Sequence, residues 1–159
     1  MKRIGIDARL YFQTGVGVYI RNILHFLQEM KTDDIEFYIY VMKEDSSKIT
    51  FSKTNFKKIE VTSRWHSFSE QLVYLRQLNR DRLDLMHFTY FSHPVLYNRP
   101  FIATIHDIIL LEHKTGKAST LFPFIYNLKH LAFTYAFHHQ IKDSRKIITP
   151  TETVKKQII

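Results

Sequence analysis

Along the chain the apolar positions switch repeatedly between the continuous or alternating runs of a strand and the three-to-four spacing of a helix. Arg3 to Asp7 is a short apolar run that ends on an acid. After a loop holding Gly15 and Gly17, Val16, Ile20, Ile23, Leu24, Leu27 and Met30 recur at helical spacing, with Arg21, Asn22, His25 and Gln28 facing the other way. The switch predicts a strand followed by an amphipathic helix. Glu36 to Val41, rich in β-branched and aromatic residues, predicts a buried second strand. Lys43 to Thr54 then reads as polar loop, and Lys58 to Val61 as a third strand. Phe68, Leu72, Leu75 and Leu78 predict the buried face of a helix over Ser69 to Asn79, with Leu85 to Phe88 as the strand after it. Phe101 to Ile105, closed by His106-Asp107, is the next strand, and the long helix from Leu121 carries the stripe Ile125, Leu128, Ala132 and Tyr135. Lys146 to Thr149 is the last strand. Thr149-Pro150-Thr151-Glu152 predicts a helix start, with a hydroxyl cap at Thr149, proline at the first helical position and glutamate at the third.

Repeated strand–helix units predict an α/β fold with a doubly wound, mostly parallel sheet of Rossmann-like type, because parallel strands need crossovers and these are right-handed. A chain of 159 residues is one domain's worth. Ligands of such sheets bind beyond the carboxyl ends of the strands, so the loops after Asp7, Val41, Phe88, Ile105 and Thr149 are the ones to search. Asn127, Lys129 and His130 interrupt the long helix, which is therefore not expected to span a membrane.

Composition narrows the chemistry. With no cysteine, a disulfide framework, a thiolate metal site and a cysteine nucleophile are all excluded. The first residues read as a strand rather than a signal peptide, which leads us to expect a cytoplasmic protein. The net charge of +8 suggests an anionic partner, which a nucleic acid, a membrane surface or a phosphorylated substrate would each satisfy. No nucleic-acid reader motif accompanies the charge, so no nucleic acid is expected. Phe122, Phe124, Tyr126, Phe133, Tyr135 and Phe137, beside Lys117, Lys129 and His130, suggest peripheral contact with the inner face of a membrane, although most of these aromatics suit a core.

Gly15-Val16-Gly17 precedes a helix whose free N–H groups and dipole suit a phosphate, and glycine allows close approach. The dinucleotide fingerprint is incomplete, since Ile20 stands at its third glycine position and the loop from Asp7 is too long. Glu44 or Asp45 would otherwise mimic the ribose-binding acid of a nicotinamide enzyme. His106-Asp107 at a strand end offers a group that titrates near neutrality beside an acid that could orient it. His87, at the end of the preceding strand, reads as structural. His138-His139 are helix neighbours about 100° apart and do not form a facial metal site. Thr115-Gly116-Lys117 lacks the upstream glycine of a phosphate loop.

Taken in order, these fragments resemble the N-terminal domain of family 4 retaining glycosyltransferases over nearly the whole chain. The resemblance rests on Ile4-Gly-Ile-Asp-Ala-Arg9, Gly15-Val-Gly-Val-Tyr-Ile-Arg-Asn22, Leu85-Met-His-Phe88, Pro100 with Thr104-Ile-His-Asp107, and Ile147-Ile-Thr-Pro-Thr-Glu152. Val18 stands where the family often carries arginine. The resemblance implies one half of a two-domain GT-B architecture in which this half binds the sugar acceptor, a glycan or a lipid-linked sugar. The donor-binding half, with its E-x7-E glutamates, is not within these residues, so transfer requires that domain or a partner chain. It further implies that Gly15, Val16 and Gly17 face the diphosphate or the acceptor, that His106 lies beside the reacting sugar, and that Asp107 fixes the local geometry. The donor is a nucleotide sugar bound as substrate, and no cofactor or metal is expected. The face that meets the donor half could also drive homo-oligomer formation. The competing reading is a non-catalytic binding module, either the partner of a split transferase or a domain that binds anionic lipid.

Overall fold

The computed structural model describes residues 1–107 and 123–158, the second segment with side chains from Leu131 onward. Six strands, with helical segments between most of them, run in order through the described residues. They are β1 (Lys2–Asp7), α1 (Val16–Glu29), β2 (Ile35–Met42), a 3-10 turn (Lys43–Lys48), β3 (Phe56–Val61), a π-helical turn (Glu70–Tyr74), α2 (Leu75–Asp81), β4 (Leu85–Phe88), β5 (Phe101–Thr104), α3 (Pro123–Asp143), β6 (Ile147–Ile148) and α4 (Glu152–Ile158). All neighbouring strands are parallel, in the order β3-β2-β1-β4-β5-β6. The fold is thus a Rossmann-like α/β sheet, and its order reverses between β1 and β4.

Side-chain alternation along β2 explains why both faces are covered. Phe37, Ile39 and Val41 pack with Ile20 and Leu24 of α1, whereas Tyr38 and Tyr40 pack with Tyr74 and Leu78 on the opposite face. A strand buried on both sides reads in sequence as an unbroken apolar run, which is the pattern of β2. A third cluster joins Ile105 to Phe91, Phe137 of α3 and Val154 of α4. No described helix is long and apolar enough to cross a membrane.

Several expectations about faces and boundaries need correction. In the segment before β4 the buried residues are Glu70, Tyr74 and Leu78, while Phe68 is 91% and Leu72 60% exposed. The π turn rotates the leading residues relative to α2, and an inward Glu70 carboxylate with buried partners outweighs the apolar stripe. In α3, Phe137 and Gln140 face inward with Phe133 and Ile141 partly covered, and Ala132 and Tyr135 are exposed. Gln140 holds that face by donating to the Tyr90 carbonyl at 3.1 Å. Ile125, Leu128, Thr115-Gly116-Lys117, Phe122, Phe124, Tyr126, Lys129 and His130 lie outside the residues whose side chains are described. Met30 leaves the α1 stripe because the chain turns extended there and the residue is exposed. The loop after β2 is not wholly polar, since Ile49 is buried in the α1-side core and Phe51 packs against it. The last helix is capped by Thr151, whose Oγ1 accepts from the Val154 amide at 3.2 Å, and so begins after Thr149 and Pro150.

His93 sits in an aromatic nest, with ring centroids 5.5 Å from Phe88, 5.4 Å from Phe101 and 5.8 Å from His139. Among the described residues neither of its ring nitrogens has a hydrogen-bond partner. Burial, reinforced by His139, pushes its pKa down to about 3. A depressed folded-state pKa means that stability is full above the unfolded value near 6.5 and falls as pH drops toward 3. Replacing His93 with phenylalanine removes two unpaired buried nitrogens, so urea unfolding at neutral pH should show a gain of about 1–3 kcal/mol. The gain should widen as the pH is lowered to 4.

Candidate active site at the reversal between β1 and β4

β1 leads on to β2 and β4 leads on to β5, so the loops beyond these neighbouring strands part in opposite directions. Between them Asp7, Arg9, Leu10, Trp65, Thr89, Tyr90 and Ser92 close round a gap too narrow to hold a water molecule. The glycine turn lies in the loop between β1 and α1. Gly15 has φ 64°, a conformation that glycine adopts without steric cost, and a Cβ built there would meet nothing within 4 Å. The outer side of the turn is therefore open. Gly17 is needed for the opposite reason: a Cβ there would lie 2.6 Å from the Tyr11 carbonyl oxygen and 2.9 Å from that of Leu10. The start of α1 is pressed against the preceding loop. The Val16 side chain packs into the α1-side core, so a ligand at the turn would meet backbone rather than this side chain. No side chain caps α1, and its first turn contains no acid. The positive end of the helix is not neutralised locally.

Tyr19, two residues beyond Gly17, joins the turn to the ends of β4 and β5. Its hydroxyl lies 2.8 Å from Thr104 Oγ1, and the same oxygen lies 2.8 Å from His87 Nε2. Thr104 has a single hydroxyl hydrogen, so it can donate to only one of these two partners at a time. Burial pushes the His87 pKa down to about 4, which leaves the ring neutral at physiological pH. Burial also raises the Tyr19 phenol, against the opposing pull of its Thr104 bond. His87 is thus buried and held by Thr104.

The Tyr19 ring meets His106 edge-on, with centroids 4.9 Å apart and an interplanar angle of 84°. His106 Nε2 is 3.0 Å from the Thr89 carbonyl oxygen. A carbonyl only accepts, so Nε2 carries a hydrogen and any chemistry of this ring passes through Nδ1. Thr89 in turn donates from Oγ1 to the Asp7 carbonyl at 2.6 Å, tying the end of β4 to the end of β1. The structure therefore brings the glycine turn and His106 to one rim, with Tyr19 between them. Asp107 lies near Tyr90, whose phenol is pushed up to about 12 by burial and then by the Asp107 charge.

On the other face of the sheet a buried charge cluster anchors the same rim. Arg9 donates from Nε to both Asp7 oxygens (2.9 and 3.1 Å) and from Nη2 to Asp7 (2.7 Å) and Glu70 (2.6 Å). Its Nη1 reaches the Ser63 carbonyl at 3.2 Å, and its guanidinium lies 4.2 Å from the Tyr74 ring centroid. Ser92 from the loop after β4 donates to Glu70 at 2.8 Å, and the His66 amide does so at 3.2 Å. Burial acts against the Arg9 charge, but Asp7, with smaller help from Tyr74 and Glu70, raises its pKa overall. Burial raises Glu70, opposed by Arg9 and Ser92.

Tyr19, Thr104 and this cluster escaped the sequence reading. The Tyr19 position could have been flagged, because one turn into a helix that opens at a glycine loop it must sit near the ends of the strands. The pairing of Arg9 with Glu70 leaves no mark in sequence spacing. His138 is exposed and His139 pairs with Asp143 at 3.0 Å. No group of three or more potential metal-ligating side chains occurs among the described residues. No protein-family model and no curated protein matches this chain, and the reading of the site accordingly rests on its geometry.

Proposed function

We propose that this domain is the acceptor-side half of a retaining glycosyltransferase that uses a nucleotide-diphosphate sugar. The observation that carries the reading is the meeting of the open glycine turn with His106 across the Tyr19 ring, at the point where the strand order reverses. In the closed enzyme a donor-binding half would bring the sugar diphosphate over this rim. The bond between the anomeric carbon and the diphosphate oxygen breaks, and its electron pair leaves with the diphosphate. The acceptor oxygen bonds to that carbon on the same face, and its proton passes to the departing phosphate. Amides at the Gly15–Gly17 turn would stabilise the charge that develops on the leaving group, and fixed donors of this kind contribute about 3–4 kcal/mol each. With Nε2 committed to Thr89, His106 would present Nδ1 to a hydroxyl of the transferred sugar.

A nicotinamide-dependent reaction fits less well. Ile20 is fully buried in the α1-side core where a dinucleotide site needs a glycine for close packing. Glu44 and Asp45, at the end of β2, are paired with Arg64 (3.8 Å) and Lys48 (3.3 Å).

The proposal is tested by nuclear magnetic resonance titration of the labelled chain with pyrophosphate, UDP-glucose and GDP-mannose. Shifts should gather on the amides of Gly15 to Tyr19 and on the His106 ring. Shifts confined to surface lysines far from the turn would overturn it.

A further inference from the structure

Thr104 is fully buried at the end of β5, and its hydroxyl gathers partners from two other elements. Tyr19 reaches it from α1 and His87 from β4, each at 2.8 Å. A threonine that served packing alone could be valine, whereas this oxygen joins three elements two residues before His106. Strand alternation puts Thr104 and His106 on one face, and Ile105 between them packs instead with Phe91 and Phe137.

Tyr19 is held at both ends. Its backbone amide donates to the Gly15 carbonyl at 3.1 Å, which ties it to the glycine turn, and its hydroxyl is held by Thr104. Between these anchors the ring stands near-perpendicular to two imidazoles, 6.4 Å from His87 at 90° and 4.9 Å from His106 at 84°. His106 depends on this neighbour. A single hydrogen bond tolerates a broad range of angles, so the bond from Nε2 to the Thr89 carbonyl fixes one ring atom and leaves the tilt of the ring open. The edge of the Tyr19 ring supplies the second point of contact.

We propose that Thr104 is a positioning residue, which through its hydroxyl holds the Tyr19 ring against His106 and so fixes the direction in which His106 Nδ1 points. Because Tyr19 is also bonded to Gly15, the same tether sets the spacing between the glycine turn and His106. Its bearing on catalysis rests on the reading of His106 as the group that meets the transferred sugar, whereas the positioning itself does not.

The first test reads the ring in the chain by itself. Long-range proton–nitrogen correlation spectra of the histidine-labelled chain at about pH 8, where an ordinary imidazole is neutral, report which ring nitrogen carries the hydrogen. Wild type should show His106 protonated at Nε2. Thr104→Val and Tyr19→Phe should each move it toward a mixture of the two tautomers, and Thr104→Ser, which keeps the hydroxyl, should give the wild-type spectrum. Tyr19→Phe leaves the bond between His87 and Thr104 in place, so a change common to both variants does not arise at His87. An unchanged His106 tautomer in Thr104→Val and Tyr19→Phe would overturn the proposal, and so would a change confined to Thr104→Val.

The second test uses an enzyme that joins this domain to its donor-binding half. Each variant should lower kcat about tenfold with the KM for the donor unchanged, within the roughly hundredfold that misplacing a reacting group by about 1 Å can cost. The double variant should lose no more, because both substitutions break one contact. Losses that multiply would overturn the proposal. Absence of transfer by the wild type would count against the proposed function and leave the ring measurement to decide the positioning.

Discussion

Replacing Arg9 with methionine is expected to cost about 3–5 kcal/mol of folding stability, the penalty for stranding buried charge by removing its partner. Among the described residues Arg9 is the one cation paired with two buried carboxylates, Asp7 and Glu70, and it also reaches the Ser63 carbonyl and the Tyr74 ring. Methionine fills much of the volume but leaves both acids buried without the guanidinium. Since whole domains have only about 5–15 kcal/mol in hand, urea unfolding should show a large fall in midpoint. Glu70→Gln should behave very differently. It leaves Arg9 paired with Asp7, removes the surplus negative charge, and keeps a side chain able to bond Ser92, so a loss of about 1 kcal/mol or less is expected. A methionine variant that unfolds at the wild-type midpoint would show that the cluster does not hold the rim.

That cluster also explains where the sequence was legible and where it was not. β2 and β4 were found at nearly their observed bounds, because strands covered on both faces are apolar at consecutive positions, and the short length and aromatic, β-branched content of these runs favour strand over helix. The glycine turn was found because Gly15 and Gly17 each meet a constraint that a side chain would violate, one of backbone angle and one of space. The helix before β4 was misassigned on its inner face. Its apolar stripe was real, but Glu70 is drawn inward by Arg9, 61 residues earlier in the chain, and by Ser92, 22 residues later. Periodicity records which residues are apolar, and it is blind to a carboxylate whose partners arrive from distant strands. α3 was misread for a related reason, since Gln140 points inward to a backbone carbonyl while Tyr135 faces solvent.

At the site, His106 stood out because a histidine at the carboxyl end of a parallel strand lies where such sheets bind ligands. Its orientation was not legible, because the partners that fix it, the Thr89 carbonyl and the Tyr19 ring, come from β4 and α1. Their arrangement yields the second large prediction. In an enzyme comprising this domain and its donor-binding half, His106→Ala should lower kcat about a hundredfold or more, the scale on which a positioned polar group acts in a transition state. The ring is only half-buried and its Nε2 bond to the Thr89 carbonyl is 3.0 Å long, so the cost in stability should stay near 1 kcal/mol. Tyr19→Phe keeps the ring that abuts His106 and loses only the Thr104 bond, and its effect on kcat should be smaller.

The decisive measurement is the transfer rate of that two-domain enzyme from a nucleotide sugar, for wild type and His106→Ala at matched folded fraction. Transfer with retained anomeric configuration is expected of the wild type, and its near-complete loss in the variant. Transfer by the variant at the wild-type rate would contradict the proposed function.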